Sequence, residues 1–191
     1  KELKKDLGAN NNYTKDIDLL IDQTKRCSEI LKQISKKQIK EDKFFSKTNL
    51  EDLLNEIISS FKETSDKEID LLAKNDTNKF RFQRSPEIIY GLRNFIGNAI
   101  KFSKKSVLIE LISDKKTIEV KINDDGPGFP DDVIEVIGEP YIKSKSKEIS
   151  LKSGTGLGTF LGKTLLERTS AKLRFSNDSK MLGAKVNIIW E

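Results

Sequence analysis

Tyr90, Asn94, Asn98 and Lys101 follow one another at spacings of four, four and three, which on a helix puts all four on one face. Two carboxamides and an ammonium group in a row suit a hard divalent cation carried by phosphates. Magnesium takes oxygen ligands, keeps several waters and draws the rest of its coordination from the phosphates it accompanies. A neutral asparagine carbonyl is a sufficient ligand where a triphosphate already brings the negative charge. Lys101 can then meet a phosphate as a point charge. Alone, the face is also what a solvated helix shows, so its weight depends on two later segments.

Asp124-Asp125-Gly126-Pro127-Gly128 directly follows an alternating strand pattern. A carboxylate there can accept a hydrogen bond from the exocyclic amine of adenine, whereas guanine would turn a carbonyl oxygen toward it. Gly126 and Gly128 let backbone approach a flat ring with no side chain between, although Asp-Gly-Pro-Gly is also good turn chemistry. Gly154-Thr155-Gly156-Leu157-Gly158 then opens a helix, where unpaired amides and the positive end of the dipole bind phosphate. It is not a P-loop, because no Gly-Lys-Ser/Thr follows. It is not a dinucleotide fingerprint either, since the spacing fails at Thr159 and Leu161 and no strand directly precedes it. The polar, basic run Lys143 to Ser153 before it reads as a mobile lid or as a linker. Together the three segments describe a pocket for a magnesium-bound adenine nucleotide.

The elements that must position them are legible from periodicity. Ser85-Pro86-Glu87 supplies an N-cap, a proline at the first helical position and an early acid, so a helix begins there. Its apolar stripe, Ile88, Leu92, Phe95, Ala99 and Phe102, faces a core and leaves the carboxamide face for something else. Asn49 to Lys62 has helical apolar spacing at Leu50, Leu53, Leu54, Ile57, Ile58 and Phe61. Glu68 to Leu72 and Lys79 to Phe82 read as short strands. Val107 to Ile112 and Thr117 to Ile122 alternate at period two around a turn. Leu157 to about Thr169 is a helix, and Lys172 to Ser176 and Ala184 to Trp190 are strands. This order predicts an α+β fold, a two-layer α/β sandwich with helices on one face of a sheet.

Upstream, Asp16 to about Lys40 carries a heptad seam, Ile17, Leu20, Thr24, Cys27, Leu31, Ile34 and Gln38, which must be buried against partners. Lys1 to Leu7 reads as the last turns of a preceding helix, stopped at Gly8. The expected division is therefore a partial helical hairpin, residues 1–43, and a second domain, residues 44–191. Cys27 falls where a small apolar residue packs.

The 191 residues are 36% hydrophobic and 34% charged, enough for one compact domain with a helical appendage. The net charge of +5 comes from lysines spread along the whole length among many acids, unlike the concentrated stripe of a nucleic-acid groove. No apolar run approaches the length that crosses a bilayer, and no signal peptide is visible. A single cysteine excludes an internal disulfide framework and fits a reducing compartment. The chain opens inside a helical pattern without methionine, so it reads as part of something longer. It contains no histidine.

At these residues the chain resembles a known family. Asn94 to Phe102 is similar to the N box of sensor histidine kinases, and Asp124 to Gly128 to their first glycine box. Gly138-Glu139-Pro140-Tyr141 resembles the F box, and Gly154 to Gly158 the second glycine box. The resemblance implies the ATP-binding fold shared with gyrase-type ATPases and related chaperones (the Bergerat or GHKL type) over Phe44 to Trp190. The upstream helix resembles the second helix of a dimerisation and phosphotransfer hairpin. A narrower likeness, to redox-responsive RegB/PrrB-type kinases, runs through Lys25 to Leu31, Tyr90-Gly91-Leu92, Gly138 to Tyr141 and Lys163 to Arg168.

What the resemblance implies can be carried over by residue. Asn98 ligates magnesium with Asn94 assisting, Lys101 contacts phosphate and Asp124 holds adenine. Gly126, Gly128, Gly154, Thr155, Gly156, Leu157 and Gly158 shape the pocket for ATP and Mg2+, and Cys27 is a candidate for redox control. The implied partners are a second copy, through the hairpin, and the receiver domain of a response regulator, with no nucleic acid and no membrane contact by this fragment. The implied place is the cytoplasmic side of an inner-membrane sensor. Two departures stand out. The phosphoacceptor histidine and the acid beside it are absent, so self-phosphorylation is not expected of residues 1–191. The F box has Tyr141-Ile142 where an aromatic pair is more usual. Rival readings are a serine kinase or ATPase of the same fold, and a non-catalytic adaptor that docks a response regulator.

Overall fold

A computed structural model describes residues 47–74, 81–114, 116–140, 157–178, 181 and 183–191, all within one compact unit, Ser46–Glu191. The heptad helix with Cys27, the run Lys143 to Ser153, Tyr141, and Gly154, Thr155 and Gly156 lie outside the described residues.

Seven strands and four helices alternate along these residues. They are β1 (Lys47–Asn49), α1 (Leu50–Lys62), β2 (Glu68–Lys74), β3 (Arg81–Gln83), α2 (Pro86–Phe102), β4 (Ser106–Ser113), β5 (Ile118–Asp124), α3 (Asp131–Ile134), α4 (Leu157–Glu167), β6 (Lys172–Asn177) and β7 (Ala184–Trp190). Five strands form one mixed sheet in the order β2-β4-β5-β7-β6, and β1 and β3 form a separate antiparallel pair. Within the large sheet β2 runs parallel to β4, and the remaining neighbours are antiparallel. A parallel pair needs a crossover, and the chain supplies it through β3 and α2.

Period-two alternation makes one sheet face the core. On β4, Val107, Ile109, Leu111 and Ser113 are buried, while Ser106, Leu108, Glu110 and Ile112 between them are half-exposed. Ile118, Val120 and Ile122 continue the buried face on β5, and Val186, Ile188 and Trp190 on β7. Helices α1, α2 and α4 pack on the sheet, so the expected two-layer sandwich is what forms. α1 buries Leu50, Leu53, Leu54, Ile57 and Ile58 after Asn49 caps it by accepting the Glu51 N–H at 3.0 Å.

Several boundaries differ from the sequence reading. β2 runs two residues beyond Leu72, and β5 runs through Asp124, so that residue closes a strand instead of following one. β1 and α3 were not expected, because three- and four-residue elements are too short to show a period. The sequence puts the end of α4 at about Thr169; the helix stops at Glu167. Beyond it Ser170 adopts a left-handed backbone with φ 65, and the Ala171 N–H reaches back to the Leu166 carbonyl.

Candidate functional site

Helix α2 begins as the sequence requires: Ser85 Oγ accepts the Ile88 N–H at 3.2 Å and Pro86 opens the first turn. Ile88, Ile89, Leu92, Phe95, Ile96, Ala99 and Ile100 are buried, a wider apolar surface than the expected stripe because the helix lies between the sheet, α1 and α4. The carboxamide face sits at the α4 side. Asn94 Nδ2 donates to the Tyr90 carbonyl at 2.8 Å, one turn back on the same helix. Asn98 Nδ2 donates to Thr159 Oγ1 at 3.2 Å, on α4. Both amide nitrogens are thus engaged by protein, and both carboxamide oxygens stand without a partner among the described residues. A donor set of two free neutral oxygens fits a hard cation, and it fits poorly to an anion. Lys101 is exposed, with Nζ 5.6 Å from the centroid of the Phe102 ring. It makes no ion pair among the described residues, which leaves its charge available to a phosphate.

Asp124 ends β5 with only 3% of its surface exposed. Its Oδ1 accepts two backbone N–H groups, from Gly126 at 2.8 Å and Ala184 at 3.2 Å. Burial pushes its carboxyl above the usual aspartate range; the two N–H bonds offset this in part, and the neighbouring Asp125 charge adds to it. A buried carboxylate with one oxygen engaged and the other unbonded among the described residues is suited to a single donor such as an exocyclic amine. Gly183 permits this arrangement, since a Cβ there would lie 1.9 Å from the Asp124 carbonyl oxygen.

Asp125 has the opposite task. Its carboxylate accepts the N–H groups of Lys104, Lys105 and Ser106 and the Ser106 hydroxyl, at 2.8–3.2 Å. Slight burial raises its pKa, but these donors outweigh that and hold it below the ordinary range. The two adjacent aspartates are therefore set apart by environment alone.

The glycines of this segment answer to protein contacts. A Cβ on Gly126 would lie 2.5 Å from the Phe102 carbonyl oxygen at the end of α2. Gly128 has φ +79, and a Cβ would lie 2.8 Å from Asn177 Oδ1. That same Asn177 clamps the strand exit: its Oδ1 accepts the Phe129 N–H at 2.6 Å and its Nδ2 donates to the Phe129 carbonyl at 3.0 Å. The sequence reading assigned both glycines to close approach of a ring; crowding by Phe102 and Asn177 already requires them.

Helix α4 closes against α2 through small residues. Added Cβ atoms would lie 3.4 Å from Asn94 Oδ1 at Gly158, and 3.1 Å from both Asn94 Cβ and Phe95 Cε2 at Gly162. From the other side, a Cβ on Gly91 would lie 2.4 Å from Cγ of the fully buried Leu166. Of the second glycine segment, Leu157 and Gly158 begin this helix and are half-buried. Gly138, in the stretch likened to the F box, has φ +92 and sits against the Lys163 side chain. The first glycine segment thus abuts the end of α2, while the start of α4 abuts its carboxamide face.

Sequence reasoning missed Thr159, Asn177, Gly183 and Ala184 at this site, and the pair Gly91 and Gly162. The four-residue step from Gly158 to Gly162 was a readable sign of close helix packing. The others act across long sequence separations and carry no local pattern.

Residues 84–190 match the model of the histidine kinase-, DNA gyrase B- and HSP90-like ATPases. The chain belongs to that family. It is 32% identical over 207 aligned positions to the sensor histidine kinase RegB of Cereibacter sphaeroides, an alignment covering 99% of this chain and 45% of that protein. The chain thus spans about half the length of this relative. Among solved structures it is similar to the catalytic domain of histidine kinase ThkA, with a TM-score of 0.62 and 21% identity over 75% of this chain and 95% of that one. It is also similar to the mycobacterial sensor histidine kinase MprB, with a TM-score of 0.60 and 18% identity over 76% and 95%. Among the described residues no helix is long and apolar enough to cross a membrane.

Proposed function

We propose that this chain is the catalytic core of a sensor histidine kinase, binding ATP with magnesium for transfer of the γ-phosphoryl group to a histidine imidazole and then to a response-regulator aspartate. The observation that carries the reading is the opposed chemistry around α2: two free carboxamide oxygens on its face and a buried, half-engaged carboxylate beside its end. Asp124 would accept from the adenine amine. Asn98, with Asn94 assisting, would hold magnesium, and Lys101 would meet phosphate. Gly154, Thr155, Gly156, Leu157 and Gly158 would line the phosphate side. When bound, the metal neutralises phosphate charge. The protein's own share is positioning and electrostatic stabilisation.

The imidazole must come from outside residues 1–191, since the chain has no histidine. Residues 1–43 would form the partial hairpin that pairs two copies, and residues 44–191 the nucleotide domain. Its place would be the cytoplasmic side of an inner-membrane sensor, as the resemblance to sensor histidine kinases implies. Cys27 on the seam would then alter helix packing, or crosslink the dimer, when oxidised.

Calorimetric titration with ATP, with and without magnesium, tests the pocket. Asp124→Asn is expected to abolish binding and Asn98→Ala to remove its magnesium dependence. Absence of ATP binding by the parent chain would transfer the reading to a non-catalytic adaptor of the same fold.

A further inference from the structure

The two carboxamides on α2 are held by different means. Asn94 gives its Nδ2–H to the Tyr90 carbonyl, an acceptor that cannot donate, so its oxygen is forced outward by its own helix. The same i−4 bond is not what holds Asn98. Its Nδ2 goes instead to the Thr159 hydroxyl, sixty-one residues away in sequence, in the first turn of α4. A carboxamide is nearly symmetric in shape and opposite in chemistry at its two ends. Turned one way it offers an oxygen to a cation, and turned the other way it offers an NH2 that repels one.

We propose that Thr159 is a positioning residue for the magnesium site: its hydroxyl tethers Asn98 Nδ2 to α4 and leaves the Asn98 oxygen for the metal. The inference rests on the nucleotide-binding reading above and names a residue that the reading itself does not need. Asn94 is therefore turned by α2 alone, whereas Asn98 is tied down only where α4 meets it, by a hydroxyl that accepts from Nδ2 here and has a proton of its own to place elsewhere. Groups behind a metal ligand fix its orientation in this way, and their loss typically weakens metal binding by about ten- to a hundredfold. The close seat of Gly162 on Asn94 and Phe95 brings the hydroxyl within reach, so a larger residue there would press α4 away from α2.

The test compares Thr159→Val, which keeps the shape and removes the hydroxyl, with Thr159→Ser, which keeps the hydroxyl. In the full chain, ATP affinity is measured by calorimetry in EDTA and again across a magnesium series. Thr159→Val should leave the metal-free affinity within about twofold and lower the magnesium enhancement by about tenfold, with Thr159→Ser restoring it. The Asn98 side-chain amide resonances of the nucleotide-free chain should shift in Thr159→Val and stay near the parent position in Thr159→Ser. Three results would overturn the proposal: undiminished magnesium dependence in the valine variant, equal loss in both variants, or an equal fall in metal-free affinity. If the amide resonances respond as expected while the parent chain fails to bind ATP, the contact is real and the nucleotide reading fails, taking the metal role of Thr159 with it.

Discussion

Asp124 carries two demands of opposite sign. Burial raises its pKa above the ordinary 3.8, so the folded chain holds that proton more tightly than the unfolded chain does. The associated stability is full below 3.8 and is lost as pH rises through the raised value. The proposed adenine contact would need the carboxylate instead, so ATP affinity should fall as pH drops through the same value. Asp124→Asn separates the two effects. It is expected to raise the melting temperature of the nucleotide-free chain at neutral pH, flatten its acid-side pH dependence and abolish ATP binding. A lower melting temperature would show that the extra strength a charged Oδ1 gives the two backbone bonds outweighs the burial of charge. The position of this residue at a strand end beside two glycines was legible in the sequence. Its burial was not, because Gly183 and Ala184, which enclose it, come almost sixty residues later.

At the scale of elements, the α2–α4 contact is set by Gly91 on α2 against Leu166 on α4, and by Gly162 on α4 against Asn94 and Phe95 on α2. Leu166→Ala empties a fully buried site and should cost about 2–5 kcal/mol in denaturant unfolding. Gly91→Val drives a branched side chain into that same leucine and should destabilise by about 1–3 kcal/mol. The end of α4 offers the reverse case. Ser170 pays for a left-handed backbone that glycine adopts freely, so Ser170→Gly should stabilise by about 1 kcal/mol. Apolar spacing announced α1, a cap, a proline and apolar spacing announced α2, and α4 was read as opening at the second glycine segment, each to within a few residues. The register that sets α4 on the carboxamide face is a tertiary fact, and only the Gly158–Gly162 step hinted at it.

For the whole molecule, the order of strands and helices predicted a two-layer sandwich, and the buried alternation on β4, β5 and β7 is its physical cause. The strand order β2-β4-β5-β7-β6 was beyond sequence reasoning, because pairings across long separations depend on which edges α2 and the loops leave open. The proposed phosphotransfer would need a partner group. Incubated with ATP and magnesium, residues 1–191 should incorporate no acid-labile phosphate, whereas an extended chain supplying a histidine helix should. If Cys27→Ala leaves the extended chain as sensitive to oxidant as its parent, the redox role of Cys27 fails. The carboxylate of Asp125 joins the two layers, holding the exit of α2 and the entry of β4 by three consecutive amides. The Lys104 and Lys105 amides lie in an exposed bend and that of Ser106 opens β4, yet all three should exchange with deuterium as slowly as ladder amides. Asp125→Asn should speed them while the sheet amides of β4 and β5 keep their rates. Lys104, Lys105 and Ser106 thereby become a built-in clock for how often the helical layer lifts from the strands, readable without any nucleotide.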